Sequence, residues 1–130
     1  MITEAARDTV LRSPDNLSIA GGDYSLVLVR LTRTAPSATF DGAIYYTTPK
    51  HGESAQFLAK TSSANPEVGE TVILLFDMSR LVTGHEDWRK SVIEQVRLDL
   101  DDTAGGAFVI HQVAIVKAPP GWSPPPNRTP

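Results

Sequence analysis

The chain has 130 residues, 41% of them hydrophobic and 21% charged, and carries a net charge of −3. That is the size and balance of one globular domain, long enough to bury a core without a covalent or metal staple. Mild acidity offers no basic stripe for nucleic acid, and the absence of cysteine excludes disulfides, thiolate metal sites and a cysteine nucleophile.

The opening, MITEAARDTV, lacks the basic start and apolar run of a secretory signal. Residues 1–23 read as mixed and turn-rich, with SPDN and GGD as turn signals. DYSLVLVRLTRT (23–34) alternates as a strand, with Val27, Val29 and Leu31 on one face and Leu28, Arg30 and Thr32 on the other. APSATFDG (35–42) is a loop. AIYYTT (43–48) is β-branched and aromatic, hence a strand, and the period of two sets Tyr45 and Tyr46 on opposite faces. Ile44 shares a face with Tyr46, which makes Tyr46 the core residue and Tyr45 the surface one.

PKHGES (49–54) reads as a turn, AQFLAKT (55–61) as a short strand and SSANPEVGE (62–70) as a break. The unbroken apolar run of TVILLFDMS (71–79) predicts a strand buried on both sides. RLVTGHEDWRKS (80–91) is the one stretch with a plausible helical turn, and Trp88 in it is expected to plug the open end of a sandwich. VIEQVRLDL (92–100) alternates, with Val92, Val96 and Leu98 inward and Arg97 and Asp99 outward. DDTAGG (101–106) suits a tight hairpin turn, and AFVIHQVAIVK (107–117) a long last strand. The final segment holds six of the ten prolines and reads as a polyproline-like tail. The organisation expected is one β-sandwich domain over 1–118 and a proline-rich tail over 119–130, with Trp122 as an anchor onto a partner or onto the domain itself.

Short strands between turn signals, with almost no helix, predict an all-β antiparallel sandwich, and the long connections favour a jelly-roll. No apolar run is long enough to cross a bilayer as a helix; LVLV and VILLF are the longest. The expectation is a soluble chain without membrane insertion, with no localisation signal to read.

The residues that could carry chemistry are scattered. His51, His85 and His111 match no metal motif and read as surface or hydrogen-bonded histidines. Glu86 and Asp87 precede Trp88 where a turn or helix start favours acids. Asp99, Asp101, Thr103 and Gly105 alternate like a calcium loop but lack its distal glutamate and lie between strands, so a tight turn is the expectation, with a single structural calcium held there by backbone carbonyls as the alternative. There is no nucleophile elbow, no phosphate-binding loop and no dinucleotide fingerprint. Asp41, Asp77, Glu94 and Asp99 offer carboxylates, without a spacing that pairs them. The expectation is a protein that is not an enzyme, with no catalytic residue, no metal ligand set and no cofactor. Tyr45, Arg30 and Arg97 are the candidate ligand-binding residues, because saccharides dock on aromatic faces while charged and amide groups read their hydroxyls.

WRKSVIEQVRLDLDDTAGGAFVIHQVAIVKA resembles the C-terminal signature of galactose-binding-like β-sandwich domains. Trp88, Ile93, Val96, Arg97, Leu98, Asp99, Gly106, Phe108 and Ile110 stand at its positions. DTVLRSPDNLSIAGGDYSLVLVRL resembles the opening segment of that family and GAIYYTT its aromatic-bearing strand. His111 stands where the family often has aspartate, and Leu100 follows Asp99 where it often has proline. Both departures weigh against the structural calcium that many such modules hold. The resemblance implies a non-catalytic carbohydrate-binding module, of the kind attached to glycoside-active enzymes or built into phage tail and virion proteins. The competing expectation is a structural virion assembly or decoration protein that uses the sandwich for contacts with neighbouring subunits. It draws on the Met1 start and the Trp122 tail. The partner expected is therefore a glycan or neighbouring protein subunits, in a homo-oligomer or larger assembly, and not nucleic acid.

Overall fold

A computed structural model describes residues 2–5, 10–101 and 106–122. Among these described residues there are ten strands: β1 (Ile2–Ala5), β2 (Val10–Arg12), β3 (Ile19–Ala20), β4 (Leu26–Ala35), β5 (Phe40–Thr47), β6 (Leu58–Lys60), β7 (Thr71–Asp77), β8 (Val92–Ile93), β9 (Gln95–Asp101) and β10 (Ala107–Val116). Sheet A has the order β1-β10-β4-β7 and sheet B the order β2-β9-β5-β6, while β3 and β8 form a small two-stranded sheet. All pairings are antiparallel. The protein is an all-β sandwich, and its pairing is nested. The first strand lies beside the last, the second beside the second-to-last, and so on inward to β5 beside β6. Rolling this long hairpin up lays β10 on β4 and β5 on β9, which is the jelly-roll connectivity.

Alternation decides what is buried. Val27, Val29 and Leu31 of β4 and Leu74 and Phe76 of β7 face Ile44 and Tyr46 of β5 and Val96, Leu98 and Leu100 of β9 across the interior. Each fully buried side chain of this size contributes roughly 1.5–3 kcal/mol. Trp88 closes one end as expected: it is wholly buried, its indole N–H donates to the Tyr24 carbonyl at 2.8 Å, and the Tyr46 ring meets it edge-on at 5.0 Å. Gly21 passes so close to the Trp88 carbonyl that a Cβ there would overlap it, which restricts the position to glycine.

Four expectations are corrected. β7 is an edge strand with only one face in the core, and Ile73 on its outer face is 61% exposed. An apolar run does not by itself distinguish a two-sided strand from an edge with hydrophobic outer residues. Residues 85–90 form successive turns rather than a helix, with one helix-like bond from the Lys90 N–H to the Glu86 carbonyl. Val92 is exposed, because Glu94 interrupts the strand and the two-residue β8 pairs with β3 apart from β9. The turn-rich opening contains β1, β2 and β3, whose lengths of two to four residues leave too little alternation to recognise. The hairpin turn expected at 101–106 and the tail beyond Trp122 lie for the most part outside the described residues.

One polar pair sits inside the sandwich. Arg33 of β4 and Asp101 of β9 are buried and joined by two hydrogen bonds, Nη2 to Oδ1 at 2.9 Å and Nη1 to Oδ2 at 3.2 Å. Nη2 also donates to Asn65 Oδ1 and Nη1 to the Ala35 carbonyl, and the guanidinium lies 4.2 Å from the centre of the Phe108 ring. The pair ties sheet A to sheet B. Removing one partner leaves a buried charge uncompensated, whereas removing both does not. Asp101→Ala is therefore expected to cost about 3–5 kcal/mol in urea-induced unfolding, and the double change Arg33→Met with Asp101→Leu to recover most of that loss.

Candidate functional site

The outer face of sheet B gathers polar side chains that alternation turns away from the core. Register places Arg12 of β2 opposite Arg97 of β9, and Arg97 opposite Tyr45 of β5. Two arginines side by side would repel. Glu53, from the loop after β5, relieves this by reaching both: Oε2 accepts from Arg12 Nε at 2.9 Å, and Oε1 accepts from Arg12 Nη2 at 3.1 Å and Arg97 Nη1 at 3.2 Å. Arg97 Nη2 donates to Asp99 Oδ2 at 3.1 Å, and its guanidinium carbon lies 5.0 Å from the centre of the Tyr45 ring. Beyond Tyr45, Lys60 of β6 pairs with Asp41 at 3.0 Å. Gly42, beside that aspartate, takes a left-handed φ of 56° at the bulge where β5 joins β9, a conformation that disfavours a side chain.

The electrostatics follow from these contacts. The hydrogen bond from Arg12 holds the Glu53 carboxyl below its ordinary range, with Arg97 adding to the effect against the opposing influence of burial. Partial burial, then the charges of Asp41 and Asp99, push the Tyr45 phenol up, so that it remains a protonated donor. Among the described residues, Arg12, Arg97 and Lys60 are matched by Glu53, Asp99 and Asp41 around the half-buried ring of Tyr45. These residues present donors and acceptors of both signs in equal number.

Tyr45 and Arg97 are therefore brought together, but Arg30 is not. Arg30 is exposed on the outer face of sheet A, opposite Gln112 and Ile73, because the neighbours of β4 are β10 and β7 rather than β5 or β9. Trp122 is half-buried, and its N–H donates to the Pro119 carbonyl at 3.0 Å in the turn that follows β10. Arg12, Glu53 and Asp99 were not singled out as binding residues by their sequence. Arg12 and Glu53 sit in stretches read as turns, and only the counter-charge that Arg97 requires hinted at an acid.

Two of the three histidines, His51 and His111, find structural partners. His51 Nε2 and the Tyr46 hydroxyl both meet Asp87 Oδ2 at 2.6 Å, and the His51 ring stacks on Phe57 at 3.7 Å. This joins the loop after β5 to the turn around Trp88. Burial and then the hydrogen bond to Asp87 push the Tyr46 phenol far up, which keeps it a donor. His111 Nε2 bonds Thr32 Oγ1 at 2.7 Å on the outer face of sheet A. Asp99 and Asp101, read as part of an acidic turn, both engage arginines. Among the described residues, no group of three or more His, Asp or Glu side chains is arranged to hold a metal ion.

No protein-family model matches the chain, and no curated protein matches it.

Glu53 is ionised more readily in the folded protein than in the unfolded chain. Its contribution to stability is present above the ordinary glutamate value of 4.5 and is lost as pH falls through the lower folded value. Urea midpoints measured from neutral pH down through that window should decline more steeply in the wild type than in Glu53→Gln, and the two curves should converge at the acid end.

Proposed function

We propose that this protein is a non-catalytic glycan-binding module of the galactose-binding-like kind, with the outer face of sheet B as its contact surface. The single observation that supports the reading is the juxtaposition of Tyr45 with Arg97, flanked by Glu53 and Asp99. A saccharide needs an aromatic patch for its C–H face and a mixture of donors and acceptors for its hydroxyls. Balanced charge on this face suits a neutral sugar; an anionic one would call for a surplus of arginine or lysine. The reading uses no cofactor and no reaction step. A receptor-recognition structure such as a phage tail is a setting in which such a module serves.

Titration calorimetry against a panel of neutral saccharides, preceded by a glycan array, tests this. Tyr45→Ala should weaken binding about tenfold, the loss of one aromatic contact. Arg30→Ala, on the opposite sheet, should leave the affinity unchanged. A protein that binds no saccharide, or that binds one equally well as Tyr45→Ala, would remove the basis of the proposal.

A further inference from the structure

The edge of sheet A changes hands partway along. Among the described residues, β1 pairs with β10 from Ile110 to Ala107. From Gln112 to Val116, β10 is bonded to β4 on one side, and no strand among the described residues pairs with the other side. A bulge at His111 sets the phase of this half-strand. It leaves Gln112 opposite Arg30 on the outer face and brings Val113 and Ile115 opposite Val29 and Val27 on the inner face. Those two inward residues do not meet a complete opposite layer. With Leu11, Leu17, Val96 and Leu98 they line an open apolar cleft between the sheets of about 320 Å³, and Val113 remains 39% exposed.

Natural sheet edges are guarded by charges, prolines or bulges within the exposed strand. The segment 112–116, QVAIV, contains none of these; its bulge precedes it, and Lys117 and Pro119 follow it. An uncharged β-branched stretch whose outer backbone edge pairs with no described strand, and whose apolar side chains point inward, is complementary to a strand of the same composition. Run antiparallel about a two-fold axis through Ala114, it pairs with itself. Val113 falls opposite Ile115 of the other copy on the inner face, and Gln112 falls opposite Val116 on the outer face. No charge within the segment opposes its like. The added strand would continue along the slot that β1 already fills over the first half of β10, which is the same edge in the same antiparallel sense.

We infer that the occupant of this edge is a second copy of the chain, joined β10 to β10 into a continuous sheet that spans a two-fold dimer and covers the apolar cleft of each subunit. Tyr45 and Arg97 lie on the outer face of the other sheet, so such a dimer carries two copies of the face proposed to bind glycan and leaves both accessible.

Sedimentation velocity on the full chain across a concentration series, combined with amide hydrogen exchange, tests the inference. The wild type should sediment with twice the chain mass, and the alternate amides of 112–116 that face away from β4 should be protected. Ala114→Lys sets like charges against each other on the axis at a half-buried position of the outer face. It should give a monomer with an unchanged circular dichroism spectrum and rapid exchange at those amides. If this variant does not fold, the exchange pattern of the wild type decides. A single-chain mass at every concentration, a dimer whose 112–116 amides exchange freely, or a folded Ala114→Lys that remains dimeric would each overturn the assignment. A monomer that takes up only a foreign strand counts with the first of these.

Discussion

Nested antiparallel pairing is the constraint on which the rest of this molecule depends. Each strand bonds to its counterpart reckoned from the other end of the chain, so the backbone is one long hairpin before it is a sandwich. Two further contacts, β10 on β4 and β5 on β9, appear when that hairpin rolls up, and they set both the core and the surface. The second brings Tyr45 beside Arg97. The first sends Arg30 to the far side of the protein. A reading of single strands can say which residues face outward, but which outward residues share a face is decided by the roll.

That boundary explains what was legible in the sequence. The alternation of β4, that of β9 at Val96 and Leu98, and the inward choice of Tyr46 over Tyr45 follow from the period of two, and the core matches them. Trp88 as an end plug follows from its size and position. What the period could not carry is pairing. β7 looked doubly buried because hydrophobicity says nothing about whether a strand has one neighbour or two. The bulge at His111 shifts the phase between two apolar runs, and neither histidine nor glutamine announces it. Val92 shares the parity of Val96, but that phase does not carry across Glu94, which separates two short strands. In the binding face, Tyr45 and Arg97 were visible as outward residues. Glu53 was not, because a loop acid acquires meaning only once two arginines stand within its reach.

The protein handles charge differently inside and outside. Inside, Arg33 and Asp101 form a pair with further bonds to Asn65 and the Ala35 carbonyl, and the guanidinium rests on Phe108. A buried pair of this kind is weak support for net stability and strong support for a single arrangement of the two sheets, since any other leaves a charge without its partner. Outside, the charges of sheet B are matched across strands and only partly covered, with Arg12 and Lys60 about half exposed, so they shape a surface more than they hold the fold. The apolar cleft and the uncovered half of β10 are on neither of these faces. The cleft opens along the side of the sandwich, where Arg12 borders it as well as the polar face, while Tyr45 and Arg97 are not part of its lining.

Ile2 lies opposite Ile110, and that rung closes nearly the whole chain into a loop. Contacts so distant along the sequence return their energy only after the entropy of a long loop has been lost, and folds built from them form slowly. The innermost hairpin, β5 with β6, can pair early, whereas β4 waits for β10 to supply one of its two flanks. During synthesis the chain therefore leaves the ribosome with the inner residues of β4 bare until almost all of it has emerged. Its vulnerable interval is measured by translation time, and shelter from other nascent chains matters more to it than to a helical protein of the same length.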